Sequence, residues 1–204
     1  MTVAVVGLGA IGTPAAWLLA QRGHRLALVD DDRVAPSNLP RQVLYTEADV
    51  GRAKATVLAE RLGHAAVGIE GRLTTESADG VLAGVDLVVD GSDNWPTRQT
   101  LDAWCRPHGI AWLFLSALRW EGQALVMRPD GPCLRCLFGE GQDGPACFDV
   151  GIVGPVAGWV AAAGIDAWER GAGELILVDG WSFSVRRVRL PSRECPHGGR
   201  RRVG

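Results

Sequence analysis

The sequence contains no apolar run long enough to form a membrane-spanning helix, and its N-terminus lacks a charged region followed by a hydrophobic signal core. We therefore expect a cytoplasmic protein with no membrane partner. The sequence also lacks a large excess of charge of one sign, because the formal net charge at pH 7 is −2 and acidic and basic residues are interspersed. This balance argues against a nucleic-acid partner, and the short cluster Arg200-Arg201-Arg202 is interpreted as a frayed tail.

Apolar residues make up 47% of the 204 residues, which is enough for one well-buried core, so we predict a single domain over residues 1–204. Buried strand patterns alternate with helical patterns, which predicts an α/β fold with a mostly parallel sheet and helices on both faces. Residues from about 132 to 154 are rich in Gly, Pro and Cys and are expected to form an irregular crossover segment, followed by a last helix and closing strands. The predicted strands are Thr2–Val6, Leu26–Val29, Val85–Val89, Ile110–Leu115, Gln123–Met127, Leu175–Val178 and Phe183–Leu190, and the predicted helices are Ile11–Leu19, Lys54–Leu62, Thr97–Cys105 and Val156–Arg170.

A glycine-rich turn, Gly7-Leu8-Gly9-Ala10-Ile11-Gly12, follows the first predicted strand and opens the first predicted helix. Its glycines let a phosphate approach the backbone, and the helix N-terminus offers unpaired N–H groups. Asp30 ends the second strand, where a carboxylate can accept hydrogen bonds from ribose hydroxyls. Together they predict a Rossmann-like nucleotide site that fits NAD, FAD or ATP. The alternative is that the glycines serve only tight packing of strand against helix.

An ordered set of motifs extends beyond this turn along nearly the whole chain. In chain order the motifs are Asp30 to Gln42 (DDDRVAPSNLPRQ), Gly51 to Ala55, Asp90 to Asn94, Gly122-Gln123, Pro132 to Phe138 (PCLRCLF), Cys147 with Gly151 to Gly158, and Arg193 to Pro196. Together they resemble the ThiF/MoeB/HesA family, relatives of ubiquitin-activating enzymes that adenylate the C-terminal glycine of ubiquitin-like sulfur carriers. The resemblance implies ATP and Mg²⁺ as cofactors. It also implies a carrier ending in Gly-Gly as partner, for thiamine, molybdopterin or related sulfur transfer.

The same resemblance implies a role for each site residue. The implied nucleotide-binding residues are Gly7, Gly9, Ala10, Gly12, Asp30, Ser37, Asn38, Arg41, Lys54, Asp93 and Asn94. Asp30 is expected to hold the ribose, and Asp93 to help place magnesium with Asn94 beside it. Arg41 and Lys54 are expected to contact the phosphates, so that Arg41, Lys54 and Asp93 are catalytic. A carboxylate attacking a phosphate brings anion to anion, so cations and a metal ion suit the reaction. The alternatives are ordinary solvated charges for Arg41 and Lys54, and a helix cap for Asp93-Asn94.

Cys133 and Cys136 have the C-x-x-C spacing of one half of a tetrahedral zinc site. In the family that the chain resembles, a second cysteine pair near the C-terminus completes the site, and Cys195 matches the first member of that pair. Gly198 stands where the second member is expected, so His197 is the candidate for the fourth zinc ligand. The alternative is a decayed site with free thiols.

Cys147 matches, by resemblance, the position where ThiF-like enzymes carry a cysteine that can link covalently to the activated carrier. A thiolate beside an acyl adenylate is suited to that attack, so Cys147 is a candidate catalytic nucleophile. MoeB-like relatives have a cysteine there without needing it for adenylation, so a bystander role stays open. Cys105, on the apolar side of a predicted helix, is interpreted as a buried small hydrophobe.

Three other functions compete with carrier adenylation. An NAD-dependent oxidoreductase would leave Lys54 and the residues from Ser37 to Gln42 without a task. The second is a non-catalytic or partner-dependent half of a heterodimer. Relatives usually carry a segment before the first strand that lends an arginine to a neighbouring subunit, and that arginine has no counterpart in this sequence. Slow or partner-dependent adenylation is therefore expected. Activation of a peptide is the third. We predict an adenylyltransferase that forms a homodimer, since relatives build the ATP site beside a subunit interface.

Overall fold

The structure is a computed structural model that describes residues 1–139, 141, 151–190 and 195–197. Its strands are β1 (Thr2–Val6), β2 (Arg25–Asp30), β3 (Ala66–Glu70), β4 (Leu87–Asp90), β5 (Ala111–Leu118), β6 (Glu121–Met127), β7 (Glu174–Asp179) and β8 (Ser184–Arg189). Its α-helices are α1 (Gly12–Gln21), α2 (Lys54–Leu62), α3 (Ala78–Leu82), α4 (Trp95–His108), α5 (Leu134–Phe138) and α6 (Gly154–Glu169). Within these ranges no helix is both long enough and apolar enough to cross a bilayer.

All eight strands belong to one sheet, in the order β3-β2-β1-β4-β5-β6-β7-β8. The part from β3 to β5 is parallel, and all four residues of β4 are buried. A strand buried on both faces needs cover on both sides. Helices α1, α2 and α6 pack on one face, and α3, α4 and α5 pack on the other, each with its own apolar core. The predicted α/β fold with a mostly parallel, doubly covered sheet is confirmed.

The closing strands β6, β7 and β8 extend this sheet in antiparallel pairing. Strand β8, with the sequence SVRRVR, is the edge strand at this end of the sheet, and all six of its residues are exposed. Charged side chains on an edge strand discourage pairing with the edges of other chains. The sheet therefore divides into a buried parallel half and a more exposed antiparallel half.

The strand order creates a switch point beside β1. The chain passes from β1 to β2 on one side, whereas β4 pairs with β1 on the other side. In such a sheet the crevice at the carboxyl ends of the strands is where ligands bind. The glycine turn, Asp30 and the loop after Asp90 all emerge there, so the topology alone assembles these segments at one edge of the sheet.

Four elements differ from the expectations, and the first is helix α3 (Ala78–Leu82), which the sequence pattern did not predict. Helix α4 continues through Pro107 and ends at Gly109, whose left-handed φ of 72° supplies the stop. The sequence pattern predicts no strand at β3, because its residues are only partly buried or exposed and form no apolar run. Helix α5 is a single helical turn inside the segment expected to be irregular, and Leu134 buries itself against the core beneath α4.

Candidate nucleotide site and cysteine cluster

The glycine turn between β1 and α1 is in direct backbone contact with the loop after β4. Gly7 has a φ of +84°, and a Cβ atom there would lie 2.6 Å from the Ser92 nitrogen. A Cβ atom at Gly12 would lie 1.8 Å from the Gly7 oxygen, and one at Gly91 would lie 2.4 Å from the same oxygen. Side chains at these three glycines are therefore excluded by backbone atoms that cannot yield locally. Gly9 differs, because a Cβ atom there would meet only the Gln42 Nε2 atom, at 3.8 Å.

Asp30 fastens this turn from the end of β2. Its Oδ2 atom accepts a hydrogen bond from the Leu8 N–H at 2.5 Å, and its Oδ1 atom accepts one from the Asp32 N–H at 2.7 Å. Burial raises the pKa of Asp30, against the lowering effect of nearby Lys54 and of the two backbone donors. On the other side of the turn, the buried Tyr45 hydroxyl donates to the Leu8 carbonyl at 3.1 Å. Leu8 is thus held by both its N–H and its C=O group.

The side chains of Arg41 and Lys54 line the same cavity. Lys54, the only lysine in the chain, is the first residue of α2. Its Nζ atom pairs with the Asp32 carboxylate at 2.8 Å, and its side chain is only 5% exposed. Arg41 donates from its guanidinium to the Ser37 carbonyl at 2.6 Å. Both side chains line one cavity, where each is already held by a neighbouring residue.

The loop after β4 is anchored by a buried ion pair. Asp90 is fully buried, and it accepts hydrogen bonds from the Arg98 Nε atom at 2.9 Å and from the Ser92 hydroxyl at 2.5 Å. Burial raises the pKa of Asp90, while Arg98 and Ser92 act in the opposite direction. Arg98 also donates to the carbonyls of Ser92 and Leu115 and lies 4.6 Å over the Phe114 ring. This pair holds the floor of the cavity on the α4 side.

The last two residues of this loop, Asp93 and Asn94, were expected either to contribute to nucleotide and magnesium binding or to cap the next helix. Asn94 is the N-cap of α4, because its Oδ1 atom accepts a hydrogen bond from the Thr97 N–H at 3.0 Å. Asp93 is exposed at the cavity wall. The capping interpretation therefore holds for Asn94, whereas Asp93 presents a carboxylate to the cavity.

These segments surround an open cavity of about 620 Å³ at the carboxyl ends of the parallel strands. The predicted nucleotide-binding residues that line it are Gly7, Gly9, Ala10, Asp30, Asn38, Arg41, Lys54, Asp93 and Asn94. Gly12 and Ser37 do not line it. Gly12 is packed against the backbone of Gly7, and Ser37 is exposed and contributes its carbonyl to Arg41.

Further polar residues line the cavity without having been assigned a role from the sequence, among them Gln42, Ser92 and Arg98. A signal existed for two of them, since Gln42 directly follows Arg41 in its motif and Ser92 lies within the motif from Asp90 to Asn94. Arg98 lies inside a helix with no motif around it. Only the three-dimensional contact with Asp90 identifies Arg98 as part of the site.

The predicted zinc ligands lie together around the first turn of α5, whose N-cap is Cys133. The candidate ligand atoms of Cys133, Cys136, Cys195 and His197 all lie within 4.8 Å of one another. The Sγ atom of Cys136 is 3.6 Å from those of Cys133 and Cys195, and the His197 Nδ1 atom is 3.4 Å from the Sγ atoms of Cys133 and Cys136. Ligand atoms around a tetrahedral zinc ion, at about 2.0–2.3 Å from the metal, are roughly 3.3–3.8 Å apart. The cluster therefore has the composition and spacing of one zinc site, with His197 in the fourth position.

The surroundings of this cluster shift the thiol pKa values of Cys133 and Cys195 in opposite directions. Burial raises the pKa of Cys133 to about 11. At Cys195, burial acts in the same direction, but hydrogen bonds from Cys133, Cys136 and the His197 backbone overcome it and lower the pKa to about 7. The segment before α5 is also tied to α4, because Arg106 donates to the Gly131 carbonyl at 2.9 Å.

The remaining cysteines differ in what can be said of them. Cys147 lies outside the described residues, so its covalent role stays a prediction. Cys105 is fully buried in α4, and burial raises the pKa of its thiol to about 12. Its interpretation as a small buried hydrophobe is confirmed.

The sheet order and the cavity at its switch point define a Rossmann-like α/β protein. The sequence model of the ThiF family matches residues 1–196. The chain belongs to the ThiF family, as its motifs predict.

Individual relatives agree with this assignment. The SAMP-activating enzyme E1 of Haloferax volcanii is 41% identical over 193 residues, which covers 90% of this chain and 70% of that relative. The sulfur carrier protein ThiS adenylyltransferase of Escherichia coli is 37% identical over 211 residues, covering 95% of this chain and 84% of that enzyme. The crystal structure of E. coli MccB with MccA-N7isoASN matches 96% of this chain and 66% of its own with a TM-score of 0.80. Its sequence identity is 18%, so that likeness concerns the fold alone.

Proposed function

We propose that this chain is an adenylyltransferase that uses ATP to adenylate the C-terminal glycine carboxylate of a ubiquitin-like sulfur-carrier protein. The convergence of Arg41, Lys54 and Asp93 on the cavity beside the glycine turn is the observation that carries this function. The names of two relatives, which specify SAMP activation and adenylylation of the sulfur carrier ThiS, support the substrate class.

In the proposed reaction a carboxylate oxygen of the carrier attacks the α-phosphorus of ATP. The new O–P bond creates an acyl adenylate, and cleavage of the bond to the bridging oxygen releases pyrophosphate. Both reactants are anionic, so the site has to supply positive charge and oriented donors. Arg41 and Lys54 supply that charge, and the pairing of Lys54 with Asp32 holds its ammonium group in place before the nucleotide arrives.

The other cavity residues fit the remaining parts of the nucleotide. The turn from Gly7 to Gly12 directs backbone N–H groups at the N-terminus of α1 toward a phosphate. Both Asp30 oxygens already accept backbone hydrogen bonds, yet a carboxylate has about four acceptor positions, so a ribose hydroxyl can still be bound. Asp93 offers an exposed carboxylate to Mg²⁺, which would neutralise phosphate charge when bound.

A second cavity gives the carrier a route to this site. It has a volume of about 490 Å³, lies on the antiparallel half of the sheet, and shares Ser116, Ala117 and Leu118 with the nucleotide cavity. An extended C-terminal tail lying there would bring its terminal carboxylate to the edge of the nucleotide cavity. Gly122 on its wall cannot accept a side chain, because a Cβ atom would lie 2.2 Å from a Val160 methyl group. We therefore assign the carrier tail to this second cavity.

Pyrophosphate exchange tests this function. Wild-type protein with ATP, Mg²⁺ and a carrier ending in Gly-Gly should exchange labelled pyrophosphate into ATP. Lys54→Ala should abolish exchange with the fold intact, whereas the exposed Arg33→Ala should retain it. Exchange that survives Lys54→Ala would refute the assigned role of this cavity.

The single lysine allows a direct test of nucleotide binding. An amine-reactive reagent can modify only Lys54 and the N-terminal amine, and peptide mass spectrometry distinguishes the two sites. ATP should slow modification of Lys54 but not of the N-terminus, and NAD should protect neither. Protection by NAD without protection by ATP would favour the oxidoreductase alternative.

We also propose one structural zinc ion per chain, held by Cys133, Cys136, Cys195 and His197. The zinc ion would tie the segment before α5 to Cys195 and His197. Metal analysis should find one zinc ion per chain. His197→Ala should weaken zinc binding in competition with a chromogenic chelator, while the exposed His64→Ala should not change it. A stoichiometry well below one in protein purified without chelator would support the decayed-site alternative.

Assembly and location complete the proposed function. We propose a homodimer in the cytoplasm, and the exposed aromatic side chains of Trp17, Trp181 and Phe183 provide apolar surface that a second subunit could cover. Light scattering that gives a monomer at micromolar concentration would contradict the dimer.

The retained cations of the cavity argue against a non-catalytic half, and pyrophosphate exchange without any partner chain would exclude that alternative. Activation of a peptide stays the competing substrate class.

A further inference from the structure

Helix α5 starts at the cysteine cluster, and its first N–H group finds a partner in another helix. Cys133 is the N-cap of α5, and Leu134 is its first helical residue. The N–H group of a first helical residue has no acceptor within its own helix, and an N-cap side chain serves only the second or third residue. The Asp102 carboxylate of α4 accepts this hydrogen bond, with 3.4 Å between the Leu134 nitrogen and Oδ2. Helix α4 thus supplies the acceptor that α5 lacks at its start.

The same helix also holds the chain on the other side of Cys133. The Arg106 guanidinium donates to the Gly131 carbonyl at 2.9 Å. Asp102 and Arg106 are four residues apart in α4, so they lie on one face of that helix. Burial raises the pKa of Asp102, whereas the Leu134 N–H and Arg106 act in the opposite direction and favour the charged carboxylate. One acceptor and one donor therefore hold the backbone on either side of Cys133.

The helix that makes these contacts is fixed in the apolar core. Leu101 and Cys105 of α4 are fully buried, and Leu134 of α5 packs into the same core cluster. A side chain on such an element holds its partner more precisely than one on a loop does. The two contacts from α4 therefore fix the start of α5 relative to the sheet.

Cys133 is the one buried member of the cysteine cluster, with only 4% of the residue exposed. Its Sγ atom lies 3.6 Å from that of Cys136 and 3.4 Å from the His197 Nδ1 atom. Loss of the contacts that orient a metal ligand typically weakens metal binding by about 10- to 100-fold. The direction of the Cys133 sulfur depends on the backbone that the two α4 side chains hold.

We propose that Asp102 and Arg106 are positioning residues of the zinc site. Neither side chain is a ligand. They hold the backbone before and after Cys133 and so keep its sulfur directed at the other three ligands. The inference rests on the proposed zinc site and adds to it the residues that place its buried ligand.

Competition with a chromogenic chelator measures the zinc Kd. Asp102→Leu and Arg106→Met each remove one contact, and each should raise the zinc Kd about tenfold. Asp102→Asn keeps an oxygen that can accept from the Leu134 N–H, so its Kd should stay within about threefold of the wild type. The matched controls are Asp166→Leu and Arg170→Met, which break an exposed pair with the same spacing in α6 and should leave the zinc Kd unchanged.

Thermal unfolding separates positioning from a structural role. Without metal, Asp102→Leu and Arg106→Met should unfold within about 2 °C of the wild type, because each breaks a single contact of a short segment. With excess zinc, both variants should unfold below the wild type, since weaker binding gives less stabilisation. A Tm loss of the same size with and without zinc would show a structural role and overturn the inference.

Cobalt gives a reading of the ligand set itself. At saturating Co²⁺ the visible absorption of both variants should match that of the wild type, because all four ligands are retained. A changed spectrum at saturation would show an altered ligand set and contradict a positioning role. An unchanged zinc Kd in either variant would overturn the role of that residue. A wild type that binds neither Zn²⁺ nor Co²⁺ would instead refute the proposed zinc site, so the two failures are distinguishable.

Discussion

The nucleotide cavity and the cysteine cluster are built in opposite ways. The cavity is defined by backbone: Gly7, Gly12 and Gly91 interlock at distances that admit no side chain, and buried strands hold them. The cysteine cluster brings four side chains together from two segments far apart in sequence. The first site is a consequence of the fold, whereas the second depends on what its side chains bind. Substitutions should therefore act globally at the first site and locally at the second.

The largest effect is expected at Gly12. A Cβ atom there would lie 1.8 Å from a backbone oxygen, so Gly12→Ala has to displace the glycine turn and should cost about 4 kcal/mol or more of unfolding free energy. The matched control is Gly158→Ala in α6, where the nearest atom would be 4.0 Å away and helix propensity favours alanine by about 0.5–1 kcal/mol. Denaturant unfolding measures both. A Gly12→Ala protein as stable as the wild type would show that the turn is not locked by backbone contact.

Arg98 should have the next largest effect. Arg98→Met leaves the fully buried Asp90 carboxylate without its cation, which should cost about 3 kcal/mol. The control, Arg170→Met, breaks an exposed pair with Asp166 and should cost less than about 1 kcal/mol. Equal losses in the two variants would mean that the anchor under the cavity contributes no more than a surface ion pair.

Metal removal tests the comparison by perturbing the cysteine cluster instead of the nucleotide cavity. A chelator should make the three cysteines of the cluster reactive toward a thiol reagent while Cys105 stays unreactive in its buried position. The Kd for ATP should change less than about twofold, because the nucleotide cavity is held by the sheet. Thiol titration and calorimetry check the two halves of this expectation. Reaction of Cys105 on chelation would reveal global unfolding and contradict a local role for zinc.

Cys147→Ser should have the smallest effect on adenylation. Adenylation precedes any thiol attack, so pyrophosphate exchange should be unchanged. If Cys147 holds the carrier covalently, its thiolate displaces AMP from the acyl adenylate to form a thioester, so a thiol-sensitive adduct seen on non-reducing electrophoresis with ATP and carrier should disappear in the variant. An adduct that persists would move this chemistry to another cysteine, and loss of exchange would place Cys147 in the adenylation step itself.

The parallel half of the fold was largely predictable because its signals are local. Helix α2 has the predicted bounds, Lys54–Leu62, since its apolar residues recur at helical spacing and Gly63 follows. Strand β3 gives no such signal, because it is only partly buried at the edge of the sheet and contains no continuous apolar run. Helix α4 is longer than predicted, because a proline in its last turn does not end it.

Residues of the site could be predicted where they lie in a sequence motif. They could not be predicted where they reach the site only through a contact between two elements of the fold. Arg41, Lys54 and Asp93 lie in motifs, and all three line the cavity. Ser37 also lies in a motif but offers only its carbonyl, to Arg41, because the Pro36–Asn38 turn leaves it exposed. Arg98 reaches the site through a contact between a helix and the end of β4, which no local pattern encodes.

Intact mass spectrometry of the carrier tests the proposed adenylation most directly. A candidate ubiquitin-like carrier ending in Gly-Gly is incubated with this protein, ATP and Mg²⁺, and with pyrophosphatase to draw the reaction forward. The expected result is a carrier heavier by one adenylyl group. The adduct should be absent with Lys54→Ala and absent when the terminal glycine of the carrier is removed. An adenylyl adduct that forms equally well on the truncated carrier, or with Lys54→Ala, would contradict adenylation of the terminal carboxylate in this cavity.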